Sequence, residues 1–203
     1  MISNKILKKT PNYFLIFLTI SFFIYFLWLI KLLGDFPWRY VFTDWIINYE
    51  GGYIRRGLLG ELSVNLSKIL NLNIKYIFFI IHLFIFFIFH FLFYKFFSNF
   101  KRNYFFYILC FSPLVFLYPI STFEAFARKE IFYITFFLIN CYILVKIENR
   151  NLAFWSTNTF ILLSYFIHES SLVFIYFYYF SFLIFLKKKE YPIKFNEIFF
   201  AFV

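Results

Sequence analysis

"YFLIFLTISFFIYFLWLIKLL", residues 13–33, carries a single charge, Lys31. About 20 apolar residues in helical form match the hydrocarbon core of a bilayer. The run has no small-residue cleavage site and is longer than the apolar core of a secretory signal, so it reads as a retained anchor. The same criterion gives further spans at residues 76–97, 104–120, 131–145, 152–167 and 171–186. The last three are short and call for snorkelling lysines or a locally thin membrane. The expected fold is all-α: one polytopic membrane domain over residues 1–203, with about six transmembrane helices.

Composition points the same way. The chain is 63% hydrophobic and 30% aromatic, with a mean hydropathy of +0.77. A soluble domain of this length cannot bury so much apolar surface, which excludes that class and makes the lipid bilayer the first partner. The Phe, Ile, Lys and Asn bias also resembles the product of an AT-rich genome. A net charge of +10 would suggest nucleic acid in a soluble protein. In a membrane chain it reflects the lysines that orient helices, and no nucleic-acid partner is expected.

Those lysines fall in groups. Lys5, Lys8 and Lys9 precede the first span, and Lys95, Lys101 and Arg102 follow the second. Lys146 and Arg150 separate the fourth and fifth, and Lys187, Lys188, Lys189 and Lys194 follow the sixth. Six crossings place all four groups on one side, which the positive-inside rule makes the cytoplasm. The expected location is a bacterial inner membrane, crossed several times, with a cytoplasmic N-terminus.

Asp35, Asp44, Glu50, Glu61, Glu124, Glu130 and Glu169 then lie outside, mixed with arginines. A solvated loop is the ordinary explanation of such charges. Ionisable groups this close to helix ends are nevertheless costly unless they pair or serve a site. The outer loop, 34–75, contains "NYEGGYIRRGLLGEL" at 48–62, which holds four of the five glycines in the chain. From Ile54, apolar residues recur at Leu58, Leu62, Leu66 and Ile69, which predicts an amphipathic helix on the outer surface, entered through Gly51 and Gly52. Arg55 and Arg56 would sit in its first turn, where free N–H groups and guanidinium forks suit a phosphate. Gly57 and Gly60 allow a second reading, close packing against a transmembrane helix.

"STFEAFARKE", 121–130, carries the second cluster, in which a helical turn would pair Glu124 with Arg128. The third is "FIHESSL", 166–172. His168 there can exchange a proton near neutral pH and Glu169 can orient it or act as a base, while Ser170 or Ser171 would cap the next helix. His82 and His90 lie within the second span and are expected to be buried hydrogen-bonding groups. Cys110 and Cys141 read as small core residues. No ligand spacing indicates a metal, and no cofactor is expected.

The ordered set "FARKE" (126–130) then "HES" (168–170) resembles the Arg-then-His-x-Ser pattern of bacterial O-antigen and exopolysaccharide polymerases. The early "TDW…YE" (43–50) resembles the acidic first loop of C-type membrane glycosyltransferases. The resemblance implies transfer or polymerisation of polyprenyl-diphosphate-linked sugar units at the outer face, with Arg128 and His168 matching the family pattern. Such proteins usually have ten or more helices, and the chain stops at "NEIFFAFV" where another apolar segment begins, so a truncated chain is expected. Transfer from a lipid diphosphate needs cations at the leaving group and a base on the acceptor hydroxyl. Arg55, Arg56, Arg128 and Lys129 are the candidates for the diphosphate; Asp44, Glu50, His168 and Glu169 compete for catalysis. Two other classes remain open: a carrier or flippase for an anionic lipid or solute, and a non-catalytic subunit that docks partner subunits of a glycan assembly system.

Overall fold

A computed structural model describes residues 13–34, 44–45, 47–50, 52, 57–97 and 128–192, excepting the side chains of Glu169 and Ser170. The expected helix at 104–120 lies outside these residues. So do Arg55, Arg56, Glu124, Cys110 and the basic residues Lys5, Lys8, Lys9, Lys101, Arg102 and Lys194.

The chain runs through α1 (Tyr13–Gly34), α2 (Leu58–Leu70), α3 (Ile74–Phe97), α4 (Glu130–Lys146), α5 (Arg150–Ile167), a 3-10 turn (Glu169–Val173) and α6 (Phe174–Lys188). No strand occurs among the described residues, so the all-α expectation holds. Three stretches are long and apolar enough to cross a membrane: Tyr13–Gly34, Ile74–Phe97 and Ser171–Lys188. The other two long helices fall short of the expected count for separate reasons. α4 has only 17 residues. α5 has 18 residues but spends many on Asn151, Ser156, Thr157, Asn158, Thr159 and Ser164.

Helix ends follow local chemistry. Asn149 caps α5, its Oδ1 accepting from the N–H groups of Asn151 at 2.9 Å and Leu152 at 3.2 Å. α2 ends at Asn71, which takes the left-handed conformation (φ 51°), and the Leu72 N–H closes back on the Ser67 carbonyl. The expected serine cap of the last helix is not found. α6 starts from Val173 with no side-chain cap, entered through the 3-10 turn.

Rings fix the packing. α1 and α3 run antiparallel, with Phe14 against Phe93, Phe22 against Phe86 and Phe26 against Phe79. α3 and α4 run parallel, His82 meeting Phe132 near one end and Phe96 meeting Tyr142 near the other. α5 returns antiparallel to α4, and α6 antiparallel to α5 through Phe154–Phe182, Asn158–Tyr179 and Ser164–Tyr178. One end of the assembly therefore gathers Lys95, Lys146 and Lys187–Lys189; we call it the lysine end. The opposite, loop end gathers the finish of α1, the starts of α3 and α4, and the finish of α5. The faces turned outward stay apolar: Ile16, Ile20, Phe23, Leu27 and Ile30 form one exposed stripe on α1. Such a stripe is what a lipid solvent accepts and water does not.

Candidate functional site

The loop end collects charges above an aromatic floor. Trp45, Leu59, Phe78, Ile131, Phe132 and Ile167 share one buried cluster, drawn from the first loop and the ends of α2, α3, α4 and α5. The ionisable residues one or two positions from them in sequence, Asp44, Lys129 and His168, are thereby brought to the same end.

Lys129 is fully buried and its Nζ donates to the Asp44 backbone carbonyl at 2.7 Å, with an Asp44 carboxylate oxygen at 3.8 Å. The sequence assigned these residues to different tasks, phosphate binding and catalysis. In the fold they are partners, joining the first loop to the start of α4. A buried ammonium demands such pairing, because an uncompensated charge out of water is expensive. Arg128 pairs with Glu130 at 2.7 Å and remains partly exposed. That contact is local, and the Glu124 expected as its partner lies outside the described residues. Glu50 meets Lys68 at 3.6 Å, with both side chains mostly in solvent.

The first loop is anchored at a second point. The Tyr49 N–H donates to Glu61 Oε2 at 3.3 Å, and Glu61 Oε1 accepts from Asn65 Nδ2 at 3.0 Å. Gly60 lies so close to the loop that a Cβ there would fall inside the Ile47 carbonyl and 2.8 Å from the Trp45 carbonyl oxygen. Gly60 is thus a packing glycine, but against the backbone of the loop rather than a transmembrane helix. Gly52 has φ +113° and closes a turn onto the Tyr49 carbonyl, a conformation that suits glycine. Sequence reading did not single out Glu61 as a tie; its position one residue after Gly60 was the available signal.

The amphipathic helix is present but begins at Leu58, with Gly57 as its N-cap, so its described turns start after Arg55 and Arg56. Its protein-facing side is Leu59, Gly60 and Ser63. Of the apolar series, Leu62 and Ile69 are exposed, Ile69 to 77%, while Leu66 is half-buried beside the protein-facing side. Glu61, Asn65 and Lys68 occupy the adjoining arc, the arrangement of a helix seated at a membrane surface.

His168 ends α5, its N–H donating to the Ser164 carbonyl and its carbonyl accepting from the Ser171 N–H. Its side chain is half-buried, and Glu169 follows in the 3-10 turn. The two inner histidines differ. His90 bonds Ser21 at 2.8 Å and the Phe86 carbonyl at 2.9 Å, as expected. His82 is fully buried, yet neither ring nitrogen has a hydrogen-bond partner among the described residues. The expectation of a bonded His82 is corrected: Tyr25, Trp45, Phe78 and Phe132 surround it with rings instead. Cys141 is a half-buried free thiol. Among the described residues, no group of three His, Cys, Asp or Glu side chains is placed to hold a metal ion. No protein-family model matches the chain, nor does any curated protein or solved structure.

Proposed function

We propose that this membrane protein acts in surface polysaccharide biosynthesis, transferring or polymerising polyprenyl-diphosphate-linked sugar units at its loop end. The observation that carries this reading is the convergence of Arg128, Lys129, Asp44 and His168 on one end of an apolar helical assembly. A lipid-linked diphosphate has its anionic group at that depth and its apolar tail among the helices. The resemblance of "FARKE" and "HES" to O-antigen polymerases supplies the sugar chemistry.

In this reading the lysine end faces the cytoplasm of a bacterial inner membrane, as the positive-inside rule favours. Arg128 holds the leaving diphosphate through a planar fork suited to phosphate oxygens, with Arg55 and Arg56 as further cations. His168 takes the proton of the acceptor hydroxyl. Asp44 meets Lys129 and Glu50 meets Lys68, and Glu169 follows His168 in sequence. A carrier has less support, since Ser21, His90, Asn158, Ser164 and Tyr178 join helix to helix inside the assembly.

The test is surface glycan and lipid-linked intermediates in a host lacking the gene, with wild type, Arg128→Ala or His168→Ala restored at matched membrane levels. Wild type should rebuild the glycan while both variants accumulate short lipid-linked units. Full activity in both variants would remove the catalytic reading. Loss of a partner complex without accumulated intermediates would instead identify a docking subunit.

A further inference from the structure

A groove of about 250 Å³ runs between α1 and α3, walled by Leu15, Leu18 and Phe22 on one helix and by Phe87, Phe91 and Tyr94 on the other. From Phe87 to Tyr94 the wall rises about 10 Å along the helix axis. Thr19 and His90 also border the groove, but their polar atoms are turned to the protein. The Thr19 hydroxyl donates to the Leu15 carbonyl at 2.9 Å. His90 is engaged by Ser21 and by the Phe86 carbonyl. The lining that remains is almost wholly apolar. Water needs about two to four polar partners to settle in such a space, so the groove suits hydrocarbon instead. Its volume, spread along that length, makes a slot one unbranched chain wide. A polyprenyl tail, with a methyl branch on every isoprene unit, is broader.

The mouth of the slot lies at the lysine end, where Leu15 faces Tyr94. Lys95 follows Tyr94 and is exposed. Its Nζ lies 5.6 Å from the centre of the Phe91 ring, and 5.3 Å from that of Tyr142 on α4. Phe91 thus touches both the groove and an ammonium. The ring faces hold that ammonium by charge at the level of the mouth, where a phosphate can join it.

We infer that this groove binds an anionic glycerophospholipid, with one acyl chain lying between α1 and α3 and the headgroup phosphate at Lys95. The site is at the opposite end of the assembly from Arg128 and His168 and stands without the function proposed for them. A zwitterionic lipid offers the same chain, but its own cation offsets the phosphate, so Lys95 selects the anionic headgroup.

The experiment is native mass spectrometry of the full chain released from micelles containing phosphatidylglycerol and phosphatidylcholine with identical chains. A diazirine at mid-chain then maps the contacts by cross-linking. Wild type should retain phosphatidylglycerol about fivefold over phosphatidylcholine, the preference that one lysine near a membrane surface supplies. Lys95→Gln should bring the ratio close to one, and Lys95→Arg should keep it. Cross-links should fall on the groove walls of α1 and α3. Thr19→Phe, which fills the slot from an exposed position, should remove most of them, whereas Ile20→Phe, outside the slot, should not. Equal retention of the two lipids by wild type overturns Lys95 as the headgroup site. Cross-links unchanged in Thr19→Phe overturn the groove as the chain site. Displacement of phosphatidylglycerol by equimolar undecaprenyl phosphate would give the slot to a polyprenyl tail and overturn the phospholipid.

Discussion

Ser21 on α1 and His90 on α3 meet at 2.8 Å inside an otherwise apolar helix pair, while the second ring nitrogen of His90 reaches the Phe86 carbonyl. With no hydrophobic force between helices in lipid, such a contact helps hold α1 on α3 beyond ring packing. Ser21→Ala should therefore weaken the fold by about 1 kcal/mol. Steric trapping in bicelles would measure it, and wild-type stability in the variant would show that the contact contributes nothing.

Two ion pairs at the loop end should respond very differently to truncation. Lys129→Ala removes a fully buried cation from beside Asp44, whose side chain is 15% exposed; breaking a buried pair this way costs about 3–5 kcal/mol. Lys68→Ala removes the partner of Glu50 where both side chains are exposed, and the change should stay within ~0.5 kcal/mol. Comparing the two variants by the same unfolding assay checks burial as the cause; equal losses would refute it.

Glycine positions separate in the same manner. Gly60→Ala drives a methyl into the Ile47 carbonyl, so the loop must shift. Overpacking of this kind costs about 1–3 kcal/mol, and the folded yield in membranes should drop. Gly34, at the end of α1, has nothing within 4 Å of an added Cβ. Gly34→Ala should be neutral or gain up to ~1 kcal/mol from helix propensity.

The outward face of α2 predicts its surroundings. A nitroxide at Ile69 should be relaxed mainly by oxygen, which concentrates in lipid. One at Asn65, on the polar arc, should be relaxed mainly by a water-soluble nickel chelate. Equal response to both relaxants at the two positions would show that α2 stands in water.

Spans such as 13–33 were legible because a bilayer imposes one length and one polarity, and the observed α1 extends that reading by a single residue, to Gly34. α2 was legible from its apolar period, although its start was placed too early; the period shows a face but not where the first turn begins. The Asp44–Lys129 pair could not be read, because its members are 85 residues apart and nothing in the sequence matches one outer acid to one outer base. His82 and His90 share one helix and look alike in sequence. What distinguishes them is the neighbouring helix, which offers Ser21 to one and Tyr25 to the other.

The separation between Asp44 and Lys129 also has a meaning in time. At ~5–20 residues per second, synthesis produces Asp44 about 4–17 s before Lys129. During that interval α1 and α3 can already pair, since their ring contacts and the Ser21–His90 bond need nothing beyond residue 97. Trp45, however, has no Phe132 to rest on, and Asp44 has no Lys129. The nascent protein is thus inserted and helical while its loop end is still unsealed. A chain stalled before α4 would present an acidic, tryptophan-bearing loop to whatever surveys the membrane for unfinished products.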